Sequence, residues 1–305
     1  MLKLISFITF LLFSYNLPAQ TIQWENTIGG DQVEWNDFIQ KTSDGNAIIG
    51  GYSYSNISGD KTENSKGLGD YWLVKLNINT GDLIWQKTIG GNAFDHLTSG
   101  FETSDNGFIL GGYSSSNIYG DKTENSRGGD DFWILKLDSN RNIVWQKTFG
   151  GSGTDRLTSI ISTNDGGYLL SGDSDSGISG DKNLVNFGLT DIWVIKINAT
   201  GDIEWQKNFG GNNPDFGSKL LKTINNTYVL SGSSSSNISG NKTQNSKGLG
   251  DYWILNLDLN GNIIWQKTIG GSNGDYIKSL VETNDGNFLI AGDSASSISG
   301  DKTQL

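Results

Sequence analysis

Residues 70–91 read DYWLVKLNINTGDLIWQKTIGG. Apolar and polar side chains alternate over 70–77 and again over 83–88, the period of half-buried strands. Between them lies a short polar segment centred on Gly81, so the stretch predicts two antiparallel strands joined by a tight turn. The same text returns along the chain. The second tryptophan recurs at Trp24, Trp85, Trp145, Trp205 and Trp265, with spacings of 61, 60, 60 and 60 residues. The first recurs at Trp72, Trp133, Trp193 and Trp253. Nine of the ten tryptophans belong to these two series, Trp35 being the exception. Upstream, residues 55–72 (SNISGDKTENSKGLGDYW) and 236–253 (SNISGNKTQNSKGLGDYW) are nearly the same text. A fixed period of this length marks a tandem array of one supersecondary unit.

Each unit reads as four short strands. In the first they fall at 37–41, 46–53, 70–77 and 83–88. A Thr-Ser-Asp-Gly turn joins the first two, a long polar loop over 54–69 joins the second to the third, and Gly90-Gly91 closes the fourth. The Asp-Gly turn recurs as Asp105-Asn106-Gly107, Asp165-Gly166, Asn225-Asn226 and Asp285-Gly286, residues that tolerate positive φ. No ten-residue segment of the repeat carries helical periodicity. The fold class is therefore all-β, a β-propeller of four-stranded antiparallel blades with about 60 residues per blade. The competing architecture is a parallel β-solenoid, which the hairpin turns oppose. Repeat units run about 24–84, 85–144, 145–204, 205–264 and an incomplete 265–305. This gives four complete blades and a split or incomplete fifth, to which a strand at 22–27 could contribute. Two readings follow: a closed five-bladed ring with one three-stranded blade, or part of a larger propeller.

Composition bounds the function. Glycine at 42 of 305 residues is about twice ordinary usage, and with 13 Phe, 10 Tyr and 10 Trp the chain is globular rather than disordered. No cysteine is present, which excludes disulfides, thiolate metal sites and a cysteine nucleophile. One histidine, His96, disfavours a multi-histidine metal site. A net charge of −11 argues against nucleic acid as partner. Residues 1–20 (MLKLISFITFLLFSYNLPAQ) have the charge, apolar run and length of an export signal, with a buried N-terminal helix as the competing reading. The remainder, 21–305, is the repeat domain. No later segment is long and apolar enough for a transmembrane span. The chain is expected outside the cytoplasm, secreted or at the cell surface.

Two sets of oxygen-bearing residues repeat. The long loops carry Asp60, Thr62 and Asn64, then Asp121, Thr123 and Asn125, with Asp70 and Asp131 closing them. Alternating oxygens near glycines are candidate calcium ligands, calcium being the one possible cofactor. The competing reading is a loop held by Asx and Ser/Thr turns, which the lysines at Lys61 and Lys122 favour. An acid also follows each glycine pair: Glu34, Asp95, Asp155, Asp215 and Asp275. These could ring a channel mouth or, as structural residues, cap backbone N–H groups at blade corners. The residues that break the symmetry are Trp35, His96, Arg156 and Pro214. They form no recognisable catalytic constellation in sequence, and His96 is expected on the surface.

The stretch 75–91 resembles the tryptophan-docking motif of quinoprotein-type propellers at Asn77, Thr80, Gly81 and Trp85. That likeness concerns packing; the vicinal cysteines of many of those dehydrogenases are missing. Over nearly all of 21–305 the pattern resembles the tandem repeats of proteins secreted by Bacteroidetes. The resemblance implies export of the type IX kind and a sorting domain beyond residue 305. The function expected is a binding or adhesion module for polysaccharide or a surface protein, its contacts carried by the loops between second and third strands. The competing classes are a structural spacer of a larger secreted protein and a glycan-active enzyme.

Overall fold

The structure is a computed structural model and describes residues 22–304; the export-signal reading of 1–20 lies outside the described residues. Eighteen strands follow one another without a helix among the described residues. The first sheet comprises β1 (Glu34–Lys41), β2 (Ala47–Ser53), β3 (Asp70–Leu76) and β4 (Leu83–Ile89). The second comprises β5 (Asp95–Glu102), β6 (Phe108–Ser114), β7 (Asp131–Leu137) and β8 (Ile143–Phe149). The third comprises β9 (Asp155–Ser162), β10 (Tyr168–Ser174), β11 (Asp191–Ile197) and β12 (Ile203–Phe209). The fourth comprises β13 (Asp215–Lys222), β14 (Tyr228–Ser234), β15 (Asp251–Leu257) and β16 (Ile263–Ile269). A two-stranded sheet, β17 (Asp275–Glu282) with β18 (Phe288–Ser294), ends the array. Strand order is sequential in every sheet and every ladder is antiparallel, which removes the parallel solenoid.

Successive sheets stack face to face, and the first strand of each blade adjoins the first strand of the next. Thr98 donates to the Leu157 carbonyl (2.9 Å), the Leu220 N–H to Ser159 Oγ (3.1 Å), and Ser218 to the Ile277 carbonyl (3.4 Å). These strands are therefore innermost, the propeller-type arrangement. The core lies between blades. Phe132 and Ile134 of the second blade pack with Leu157, Tyr168 and Trp193 of the third. The tryptophans of the third strands are the core's largest side chains. Trp133, Trp193 and Trp253 are wholly buried, and each indole N–H is satisfied by a glutamine one strand over (Gln146, Gln206, Gln266). A buried indole needs such a partner.

The outer-strand tryptophans dock on the next blade. Trp145 donates to the Ala199 carbonyl (3.2 Å) and covers Gly201, while Trp205 covers Gly261. Both glycines sit at positive φ (85° and 75°), where a Cβ would be strained and would meet the indole. In the second blade Arg141 holds the same left-handed position (φ 69°) and lays its guanidinium over Trp85. The resemblance to a tryptophan-docking motif thus describes a real joint.

One expectation needs correction, and one of the two blade-count readings is not met. Residues 22–27 form no strand; instead Trp24 donates to the Ile78 carbonyl (2.8 Å) and rests on Gly81, docked on the first blade as a preceding outer strand would be. Without a neighbouring strand there is no ladder for this segment to join. The fifth sheet has two strands among the described residues, and both ends of the array are exposed, Ile39 at 71% and Leu289 at 64%. Closure into a five-bladed ring is not seen.

Candidate functional site

The antiparallel order puts the starts of first and third strands, the long loops and the glycine pairs at one end of every blade. The repeated acids meet the glycine pairs there. Asp95 accepts from the Gly91 N–H (2.7 Å) and Ser116 Oγ (3.0 Å). Asp155, Asp215 and Asp275 do the same with Gly151, Gly211 and Gly271 and their serines. Glu34 takes Ser53 and Ser55 instead. The four aspartates are buried, so they cap a joint rather than face a channel mouth. The glycine pairs are required by close contact on both sides. A Cβ on Gly90 would fall inside the Asp70 carboxylate, and one on Gly91 inside Ser116. The pair is where two neighbouring blades close on the chain from both sides.

The candidate calcium residues do not converge on a common point. Asp60 accepts from the Gly29 N–H (3.1 Å) and Asp121 from the Gly90 N–H (3.1 Å). Asn64 and Asn125 accept from the N–H groups of Ile57 (3.0 Å) and Ile118 (2.9 Å), tying each loop back on itself seven residues upstream. Asp70 and Asp131 take the N–H groups of Lys66 and Arg127. Among the described residues no side-chain bond holds Thr62 or Thr123 in the set. Beneath each loop a lysine is buried: Lys122 bonds Ser114 Oγ (2.8 Å) and lies over Trp133, 5.2 Å from the ring centre. Burial lowers Lys122, Lys182 and Lys242 to about 8. Oxygens already used by backbone and an ammonium inside the loop do not fit calcium, which needs six to eight free oxygens. Among the described residues no cluster of three or more acidic or histidine side chains fits a metal.

A different set of residues comes together. The residue after each repeated acid differs in all five repeats: Trp35, His96, Arg156, Phe216 and Tyr276. Strand register places each directly opposite another variable residue, respectively Tyr52, Tyr113, Asp173, Ser233 and Asp293. These cross-strand pairs link into an arc over the inner strands. The Tyr52 and His96 rings lie 4.3 Å apart. His96 Nε2 faces Asp37 Oδ2 (2.9 Å) and Nδ1 faces the Tyr113 hydroxyl (2.6 Å). An Nε2–H given to Asp37 leaves Nδ1 to accept from Tyr113. Burial, foremost, pushes the Tyr113 hydroxyl up to about 12. Arg156 covers the Tyr113 ring at 5.4 Å and holds Asp130 (2.6 Å). Asp173 accepts the Gly217 N–H (2.6 Å), and Ser233 Oγ accepts the Ile277 N–H (3.2 Å). Burial raises Asp173 to about 7, against the Gly217 N–H and the Arg156 charge.

Two cavities open along the arc and share Phe216. One, about 200 Å³, is lined by Arg156, Asp173, Asp175 and Thr190; the other, about 340 Å³, by Ser218, Ser233, Tyr276 and Lys278. Phe216 and Tyr276 are 43% and 46% exposed, and Trp35 58%. Sequence reading singled out His96, Arg156 and Trp35 but missed Asp37, Tyr113, Asp173, Phe216 and Tyr276. His96 is half-buried and bridges two blades, where a surface position was expected. Pro214 stands just before Asp215, its carbonyl taking the Ser235 N–H (3.0 Å). The signal that finds the rest is the disagreement among repeats: positions needed for packing repeat, and positions facing solvent near the axis do not.

No family model matches the chain, and no curated protein matches it. Among solved structures it is similar to Kuenenia stuttgartiensis hydrazine synthase, with TM-score 0.47 and 12% identity over 90% of this chain and 59% of that one. It is also similar to the Neurospora crassa Pan2 WD40 domain, with TM-score 0.41 and 14% identity over 85% and 79%. A quinohemoprotein alcohol dehydrogenase of Pseudomonas putida HK5 gives 0.41 and 10% over 87% and 45%. The chain spans less than two thirds of the first and third of these. At such scores the likenesses carry no argument; the fold rests on the strand pairing described above.

Proposed function

We propose that the chain is an exported, propeller-type binding module of the cell surface or its surroundings, and that it takes up polysaccharide at the inner-strand arc. One observation carries this reading: five cross-strand pairs at the same blade position differ in every repeat, and they supply half-exposed aromatic rings beside carboxylates and a guanidinium. Aromatic faces stack on the apolar faces of sugar rings, and polar side chains fix the hydroxyls, the mixture that suits small concave sites. The long loops, expected to carry the contacts, spend their polar groups on the fold. Titration calorimetry against a polysaccharide panel tests this. A Phe216→Ala/Tyr276→Ala variant is expected to lose at least about tenfold in affinity, while joint changes at Asp60, Asp121 and Asn241 leave it within a few-fold if the protein folds. Binding that survives the first variant overturns the reading.

A second reading, docking of a surface protein, is favoured by one feature. Ile57, Ile118, Ile178, Ile238 and Ile298 hold equivalent loop positions and are each 58–66% exposed. Replacing them together with serine would abolish capture of such a partner and leave polysaccharide binding intact.

A further inference from the structure

We infer that the arc selects uncharged polysaccharide and rejects polyanionic glycans; this rests on the binding reading above. The argument is the charge count along the arc and what each charge is already doing. Five carboxylates face it: Asp37, Asp130, Asp173, Asp175 and Asp293. Against them stand the cations Arg156 and Lys278. Both cations are held by acids of the arc itself, Arg156 by Asp130 (2.6 Å) and Lys278 by Asp293 (3.3 Å). Asp37 is spent on His96 (2.9 Å). Asp173 and Asp175 line the smaller cavity with backbone donors as their hydrogen-bond partners, Gly217 N–H (2.6 Å) and Thr154 N–H (2.5 Å).

At pH above about 7, where Asp173 is ionised despite its burial, a uronate or sulfate entering that cavity would meet two carboxylates and a guanidinium already neutralised; below it, Asp175 alone carries the charge. Like charges brought together in a partly desolvated site are strongly unfavourable. Sugar hydroxyls meet the opposite situation. They donate to the spare lone pairs of Asp173 and Asp175, and accept from the remaining N–H groups of Arg156, whose side chain is 54% exposed. Phe216 lines both cavities and Tyr276 lines the larger one, so a chain of pyranose units has aromatic faces to lie on. The chain's net charge of −11 adds a long-range repulsion of the same sign.

The test is a binding panel on the full chain in two arms: neutral glucans, galactans, mannans and xylans, and polygalacturonate, alginate and a sulfated galactan. Neutral glycans are expected to bind, and the polyanions at least about tenfold more weakly at low salt, the gap narrowing as salt screens the repulsion. Asp173→Asn/Asp175→Asn is expected to shift the polyanion-to-neutral affinity ratio at least about tenfold toward the polyanions. A circular dichroism melt confirms that the variant folds. Polyanions bound as well as or better than neutral glycans by the unaltered chain would overturn the charge selection and leave the glycan reading standing. No binding in either arm would overturn the glycan reading, and the selection with it.

Discussion

Gly150 shows how little room a blade joint leaves. A methyl group there would lie inside the Asp131 carboxylate, which the Arg127 N–H holds in place. Gly150→Ala is expected to cost about 1–3 kcal/mol, the range for overpacking. Gly177, with open space around its Cβ position and an ordinary φ, is the control: Gly177→Ala should leave the melting temperature unchanged. Thermal melts followed by circular dichroism check both. Lys122 is the other residue on which a joint depends. Its ammonium is buried near Asp95 and Asp131, and each of those has one carboxylate oxygen without a hydrogen-bond partner. Lys122→Met leaves that negative charge unopposed and is expected to destabilise by about 3–5 kcal/mol, part of which Asp131→Asn returns. Chemical denaturation of the single and double variants measures this.

Strands and hairpin turns were legible in the sequence because period-two alternation and Asp-Gly turns are local signals. The bounds read for the first blade, 37–41, 46–53, 70–77 and 83–88, differ from the structure by one to three residues. The joints were less legible. That a glycine pair answers an aspartate on its own blade and a serine of the next requires knowing the stacking, which periodicity does not encode. The element scale also carries a pH signature. Burial lifts Asp70, Asp131 and Asp191 to about 6. A folded-state value above the unfolded one favours folding at low pH, and that contribution is lost as pH rises through about 6. The lysines run the other way: held down at about 8, they contribute fully above their ordinary range and lose it as pH falls through about 8. The turn acids Asp105 and Asp165 are lowered to about 2, chiefly by Lys136 and Thr163 respectively, so they stabilise above the usual carboxylate range and lose it below. The melting temperature is therefore expected to fall as pH rises from about 4 to 6.5, and Asp131→Asn to flatten part of that slope. A melting temperature that rises steadily over this interval contradicts the assignment.

At the scale of the whole molecule, repetition and its failure have separate meanings. Much of what recurs every 60 residues builds inter-blade core, docked tryptophans and capped corners; five cross-strand pairs that change from blade to blade gather at one end of the inner strands. The arc escaped sequence reading because its partners are set by register, Arg156 with Asp173 and His96 with Tyr113, and by neighbouring blades, as with Asp37 and His96. The clash of readings is between this arc and the long loops as the binding surface. Hydrogen–deuterium exchange of the full chain, with and without saturating laminarin as a neutral glucan (or whichever neutral glycan of the panel binds), decides between them directly. The account predicts slowed exchange in peptides covering 154–158, 173–176, 215–218 and 275–278, and unchanged exchange in the loops 54–69, 115–129 and 235–250. Protection confined to the loops would contradict it.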